Sequence, residues 1–223
     1  VQLHQPADLD HAENARERLT FDEAFLLQSL LVLRRIELKK LNSTSRKAAT
    51  GGLLDAFDQR LPFELTAGQK AVSKEIESDL AQPHPMHRLL QGEVGSGKTI
   101  VALRAMLAVV DSGGQAALLA PTEVLAAQHL RTIQKLLGDL AQGGMLGGSE
   151  LATQVTLITG SQNTAARKEA LSLAANGDAG IVIGTHALLG EKVAFKDLGL
   201  IVVDEQHRFG VEQRDALKEK AVL

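Results

Sequence analysis

The 223-residue chain contains no cysteine, no tryptophan and no tyrosine. The missing cysteine excludes disulfides and cysteine-ligated metals and fits an intracellular setting. Stacking on a nucleobase is left to six phenylalanines or a histidine. Long hydrophobic runs are scarce as well. The strongest, "AFLLQSLLVL" at 24–33, is interrupted by Gln28 and is too short to span a bilayer. The amino-terminal "VQLHQPADLDHAENARERL" lacks the basic-then-apolar pattern of a secretory signal. An excess of positive charge is also lacking. The formal net charge is −3, so no global basic field advertises a nucleic-acid partner, although a local groove or backbone amides can still hold phosphates. What is present is 44% hydrophobic and 23% charged residues, the balance of a soluble globular chain of one large or two small domains. The first residue is Val1 rather than methionine, and a piece of a longer protein is expected.

Residues 1–19 are polar and read as a linker. A helix is expected over 19–41, with Thr20 as its cap, Glu23 completing a capping box, and Arg34, Arg35, Lys39 and Lys40 near its end. "NSTSRKAATGG" (42–52) reads as a polar break, followed by a short helix to Arg60. Beyond residue 61 short apolar runs alternate with helical stretches. Strands are expected at 88–91, 116–120, 155–159, 180–183 and 200–203, and helices at 66–80, 98–111, 122–137, 164–176 and 212–220. Continuous apolar strands separated by helices imply a mostly parallel sheet covered on both faces, an α/β three-layer fold. "LAQGGMLGGSEL" (140–151) reads as a surface loop, and no internal repeat is present.

"QGEVGSGKT" (91–99) carries the chemistry. Gly92, Gly95, Gly97, Lys98 and Thr99 fit the phosphate-loop spacing G-x-x-x-x-G-K-[ST]. Glycines let successive amides point at phosphate oxygens, and Glu93, Val94 and Ser96 complete the loop. Lys98 is expected to reach the β- and γ-phosphates, the following helix adds its positive end, and Thr99 offers a hydroxyl to Mg²⁺. "LIVVDEQH" (200–207) places Asp204 and Glu205 at the carboxyl end of a buried strand, where open α/β sheets bind ligands. Asp204 can hold the metal's water shell and Glu205 can orient and deprotonate an attacking water. Alone, a strand end with two carboxylates is ordinary solvated surface. It gains force from lying after a phosphate loop. "DSGGQ" (111–115) looks like the signature of ATP-binding-cassette transporters, but it follows the phosphate-loop helix directly. It reads as a helix-terminating turn with Gly113 or Gly114 at positive φ.

These motifs together resemble superfamily 2 helicases, and among them the RecG-type bacterial helicases of branched DNA. "LPFELTAGQ" (61–69) is similar to that family's Q motif, "QGEVGSGKT" to motif I and "APTEVLAAQH" (120–129) to motif Ia. "TGS" (159–161) and "GTHALL" (184–189) match the next DNA-side motifs, and "VVDEQHRFGVEQR" (202–214) matches motif II with its downstream run. "ARERLTFDEAFLLQ" resembles the segment that joins the family's wedge domain to its motor. The transcription-repair coupling factors share "GTH", "FKDLGL" and "RFGV", but usually have "DEEH" for "DEQH" and a phenylalanine for Ser96.

The resemblance implies a RecA-like P-loop NTPase lobe over 61–223, preceded by a helical linker segment over 1–60. It implies ATP and Mg²⁺ as cofactors, and hydrolysis that drives movement on forked DNA and Holliday junctions in repair and recombination. It also implies a bacterial, cytoplasmic, nucleoid-associated protein with no membrane. Gln69 would recognise adenine through paired hydrogen bonds. Gln206 and His207 would couple the nucleotide to the DNA side. Pro121, Thr122, Thr159, Gly160, Gly184, Thr185 and His186 would grip DNA phosphates. The family's motif III, its second motor lobe with the γ-phosphate arginines, and its wedge domain are missing from the sequence, so the chain is expected to bind ATP but to be nearly inactive alone. Two other readings stand beside this one: a transcription-repair coupling factor motor, and a non-catalytic nucleotide-dependent DNA-binding module.

Overall fold

The computed structural model describes residues 8–144 and 151–210. The expected helix 212–220 and the middle of the glycine-rich stretch 140–151 lie outside the described residues. The chain divides into two compact units, Val1–Ser43 and Thr44–Leu223.

The first unit is built on one helix, α1 (Leu9–Lys39), of 31 residues, about 46 Å long at the standard rise. It starts earlier than expected. Asp8 is the cap, accepting a 2.7 Å hydrogen bond from the His11 amide. Thr20 is therefore interior, and its hydroxyl donates to the Arg16 carbonyl at 3.0 Å instead of capping. "LDHAENARER" has the helix-forming alanines, glutamates and arginines to carry the helix back to Leu9. Polarity alone made that stretch look like a linker.

The second unit follows the order α2 (Leu53–Arg60), α3 (Ala67–Leu80), α4 (Lys98–Asp111), β1 (Gln115–Leu119), α5 (Glu123–Leu137), β2 (Gln154–Ile158), α6 (Thr164–Asn176), β3 (Ala179–Gly184) and β4 (Leu198–Val203). The strands form one parallel sheet in the order β2-β3-β1-β4. All five residues of β1 are buried. Ala116 and Leu118 join Leu103, Met106 and Leu107 of α4 and Ile133 of α5 on one face. Ala117 and Leu119 join Ala170 and Ala174 of α6 on the other. Period-2 alternation with apolar residues on both faces thus produces the three layers that the unbroken apolar runs predict. α3 packs on the outside of α4 through Ile76, Leu80, Val101 and Val109.

Residues 88–91 are the exception. The segment is not a strand: it pairs with no other strand among the described residues. Its apolar content is only Leu89, which is 68% exposed, and Leu90, which packs against the α3–α4 cluster. Without a neighbouring ladder an apolar dipeptide runs on as irregular coil into the phosphate loop.

The polar break 42–52 also behaves differently from its composition. Arg46 is buried, at 6% exposure. Its guanidinium donates through both terminal nitrogens to the Asp197 carboxylate ahead of β4, with one bond at 2.7 Å. Its amide donates to the Leu80 carbonyl at 2.7 Å. Room for this side chain comes from Gly114 and Gly199, where an added Cβ would lie 2.8 Å from guanidinium atoms. A few residues later the Asp111 carboxylate accepts from the amides of Leu53 at 2.6 Å and Leu54 at 3.0 Å, capping α2 from a distance. Arg46 holds the Asp197 carboxyl below its ordinary range. That contribution to stability is fully present above the unfolded Asp pKa of about 3.9 and is lost as pH falls through the lower folded value. Arg46→Ala is expected to cost about 1–3 kcal/mol in urea denaturation at pH 7, and the difference from wild type should shrink toward pH 3.

Candidate active site

The phosphate loop lies between the irregular segment 88–91 and α4. Gly95 and Gly97 have φ of +84° and +82°, a region that disfavours any residue with a Cβ. Gly97 caps α4, so Lys98 and Thr99 are its first two residues. The loop closes through a 3.1 Å bond from the Ser96 amide to the Glu93 carbonyl, and Lys98 Nζ donates to the carbonyls of Gly92 at 2.7 Å and Glu93 at 2.9 Å. The lysine is thereby drawn across the loop mouth. Val94 stands fully exposed at the tip.

Gln69 meets this loop directly. With Thr66 it forms a capping box on α3: its side-chain Oε1 accepts from the Thr66 backbone amide at 2.9 Å while its backbone N–H donates to Thr66 Oγ1 at 3.2 Å. Its Nε2 donates to the Ser96 carbonyl at 2.9 Å. Both ends of the amide are therefore engaged within the chain. A contact with adenine would require an exchange of these bonds.

The acidic pair closes β4. The Asp204 amide donates to the Leu119 carbonyl at 2.9 Å, extending the β1–β4 ladder by one residue. Its Oδ1 accepts from the Glu205 amide at 3.0 Å, and its Oδ2 lies 2.8 Å from His129 Nε2 on α5. Glu205 is the one non-glycine residue with positive φ, +50°, among the described residues, a conformation that costs on the order of 1–3 kcal/mol. It turns the chain sharply into the 3-10 turn Gln206–Arg208, and leaves Glu205 Oε2 3.5 Å from His207 Nε2. Gln206 and His207 are exposed beside it. Among the described residues no hydrogen bond or ion pair joins the phosphate loop to Asp204 or Glu205.

The loops after β1, β2 and β3 line the same carboxyl edge. Thr122 caps α5 by accepting from the Leu125 amide at 3.3 Å. Next to it, the Glu123 carboxylate accepts from the Ser161 amide at 3.0 Å and from the Ser161 hydroxyl. The Ser161 hydroxyl, more than any other group, holds the Glu123 carboxyl below its usual range. Thr159 and Thr185 are buried at 3% and 1% exposure. Thr185 Oγ1 accepts from the Ala187 amide at 3.4 Å, and Gly184 gives its carbonyl to the Ala120 amide beside Pro121. Side chains presented outward on this edge include Thr122, Ser161 and His186, with the Gly160 backbone.

Glu123, Ser161 and His129 were not among the candidates read from sequence. Each lies within or beside a quoted motif, but their partners are 38 and 75 residues away.

The profile of DEAD/DEAH box helicases matches residues 66–222, and the chain belongs to that family. It is 59% identical over 219 residues, 98% of its length, to the ATP-dependent DNA helicase RecG of Mycobacterium tuberculosis. It is 46% identical to the RecG of Synechocystis over 99% of the chain and 42% identical to that of Thermotoga maritima. The chain spans only 30% of the length of the mycobacterial relative and 27% of the Thermotoga one. A solved structure of RecG bound to a three-way DNA junction superposes with a TM-score of 0.79 at 39% identity, covering 94% of this chain and 27% of that one.

Gly97→Ala is expected to destabilise the loop, because the added Cβ is strained at this φ and runs into the Gln69 amide, a cost of about 1–3 kcal/mol. Gly68→Ala, in α3 with open space around it, is expected to stabilise by about 0.5–1 kcal/mol. Thermal unfolding of the two variants checks both signs.

Proposed function

We propose that the chain is the ATP-binding lobe of an ATP-dependent DNA helicase that acts on branched DNA such as forks and Holliday junctions, in repair and recombination. Residues 61–223 form the lobe, and 1–60 form a linker segment whose second helix is docked on it. The similarity to RecG over 98% of the chain carries the DNA half of this reading. The left-handed Gly95 and Gly97 ahead of α4, on the same fold as an acidic strand end, carry the nucleotide half.

The residues fit a triphosphate. The loop from Gly92 to Gly97 is curled by its glycines so that amides can face phosphate oxygens. Lys98 now bonds two loop carbonyls, and it would exchange them for the β- and γ-phosphate oxygens. Gln69 would release the Ser96 carbonyl or the Thr66 amide to read adenine. Thr99 and Asp204 are the residues that would hold Mg²⁺, which when bound neutralises charge on the phosphoryl oxygens. Glu205 would orient and deprotonate the attacking water, and Gln206 and His207 beside it would pass the change at the nucleotide toward the DNA side.

On the DNA side, Thr122, Gly160 and His186 would meet phosphates directly. Pro121, Thr159, Gly184 and Thr185 would act through the backbone they shape, since both threonine hydroxyls are buried. Work on DNA would put the protein in the bacterial cytoplasm, at the nucleoid. Among the described residues no helix is long and apolar enough to cross a membrane.

In the full-length protein, Lys98→Ala is expected to weaken ATP binding at least about tenfold, the loss of one charge-assisted contact, measured by fluorescence titration with an ATP analogue. Unchanged affinity would remove the phosphate-loop assignment. Glu205→Gln should retain ATP binding and lose fork-stimulated hydrolysis by on the order of 10²-fold or more, measured as steady-state phosphate release. Wild-type turnover in this variant would move the base elsewhere.

A further inference from the structure

The contact between α5 and the end of β4 has no role in the reading above. His129 is the seventh residue of α5, and its side chain is 17% exposed, held in the gap beside Asp204. Its Nε2 lies 2.8 Å from Asp204 Oδ2. A carboxylate has no proton to give, so the imidazole is the donor. The other oxygen, Oδ1, already accepts from the Glu205 amide at 3.0 Å. Two donors, one from α5 and one from the chain after β4, therefore restrict the carboxylate's rotation about its own axis, and each oxygen keeps a remaining lone pair.

The amino-terminal end of α5 is fixed as well. Glu123, in the first turn, binds the Ser161 amide and hydroxyl in the loop after β2. Six residues of helix, about 9 Å of rise, separate that contact from the one at Asp204. A displacement of α5 driven from the strand-end loops would move His129, and with it the Asp204 carboxylate.

We propose that His129 is a positioning residue for Asp204: it sets the orientation in which that carboxylate meets the metal bound with the triphosphate, and it makes α5 the mechanical link between the loop at Ser161 and the nucleotide site. The inference rests on the nucleotide-site reading of the preceding subsection. Outer partners of metal-side carboxylates commonly act in this way, because a carboxylate free to rotate loses part of its metal interaction to entropy.

The test separates the metal's contribution from nucleotide binding itself. A fluorescent ATP analogue is titrated into the full chain in EDTA and then at rising Mg²⁺, for wild type, His129→Ala and His129→Gln. The glutamine amide keeps a donor on a side chain of similar reach. Affinity in EDTA should be the same for all three proteins, which also shows that the variants are folded. The Mg²⁺ concentration at half-effect should rise about tenfold in His129→Ala and stay near wild type in His129→Gln. Mg²⁺ dependence unchanged in the alanine variant overturns the proposal. So does a glutamine variant as impaired as the alanine one, and so does a loss of affinity already present in EDTA, which would make His129 a packing residue only. A wild-type chain that binds no nucleotide in either condition would overturn the nucleotide-site reading itself, and this inference with it.

Discussion

Gln115 begins β1 at 2% exposure, and its side-chain amide makes four hydrogen bonds. Nε2 donates to the carbonyls of Ala174 at the end of α6 and Ala179 at the start of β3, and Oε1 accepts from the amides of Lys196 and Asp197 ahead of β4. An amide has two donor hydrogens and two acceptor lone pairs, so its full capacity is used in a place where an unmet polar group would be costly. This one side chain ties both neighbours of β1 at their amino ends. With the ion pair between buried Arg46 and half-exposed Asp197 next to it, it fixes where β4 enters the sheet.

From that anchor the register runs to the opposite edge. After an irregularity at Gln115 and Ala116, β1 and β4 pair in step as far as Leu119 and Val203. The Asp204 amide then takes the Leu119 carbonyl. Asp204 is thus placed by the ladder. Because the four strands among the described residues are parallel, the loops after β1, β2 and β3 arrive at the same edge. The left-handed turn at Glu205 follows from the same constraint, since the chain must leave the ladder at once to expose the second carboxylate. α5 then spans the edge, bonded at Glu123 to the loop after β2 and at His129 to the end of β4.

Much of this was legible in the residues. Lys98–Asp111 follows from an apolar helical pattern after Gly97, and the helix expected over 66–80 forms as Ala67–Leu80. Such features depend only on neighbours along the chain. Other features misled. Leu89 and Leu90 suggested a strand, but a strand exists only when paired. Thr20 had the capping residues behind it, but Asp8 captured the helix start earlier because the intervening residues form helix well. "NSTSRKAATGG" looked solvated, and composition could not show that Gly114 and Gly199 leave a slot for Arg46.

The sequence by itself determined the chemistry on offer: a glycine loop with Lys98 and Thr99, a carboxylate pair after an apolar strand, and the layered α/β fold that brings strand ends to one edge. Local spacing and hydrophobic period are enough for these, because they act over a few residues. Tertiary structure alone decided which partners those groups have. His129 on Asp204, Glu123 on Ser161, Gln69 on the Ser96 carbonyl and Arg46 on Asp197 join positions 27 to 151 residues apart. Hydrogen bonds of about 3 Å tolerate little error in position, and only the completed sheet register and helix packing bring these atoms within that distance.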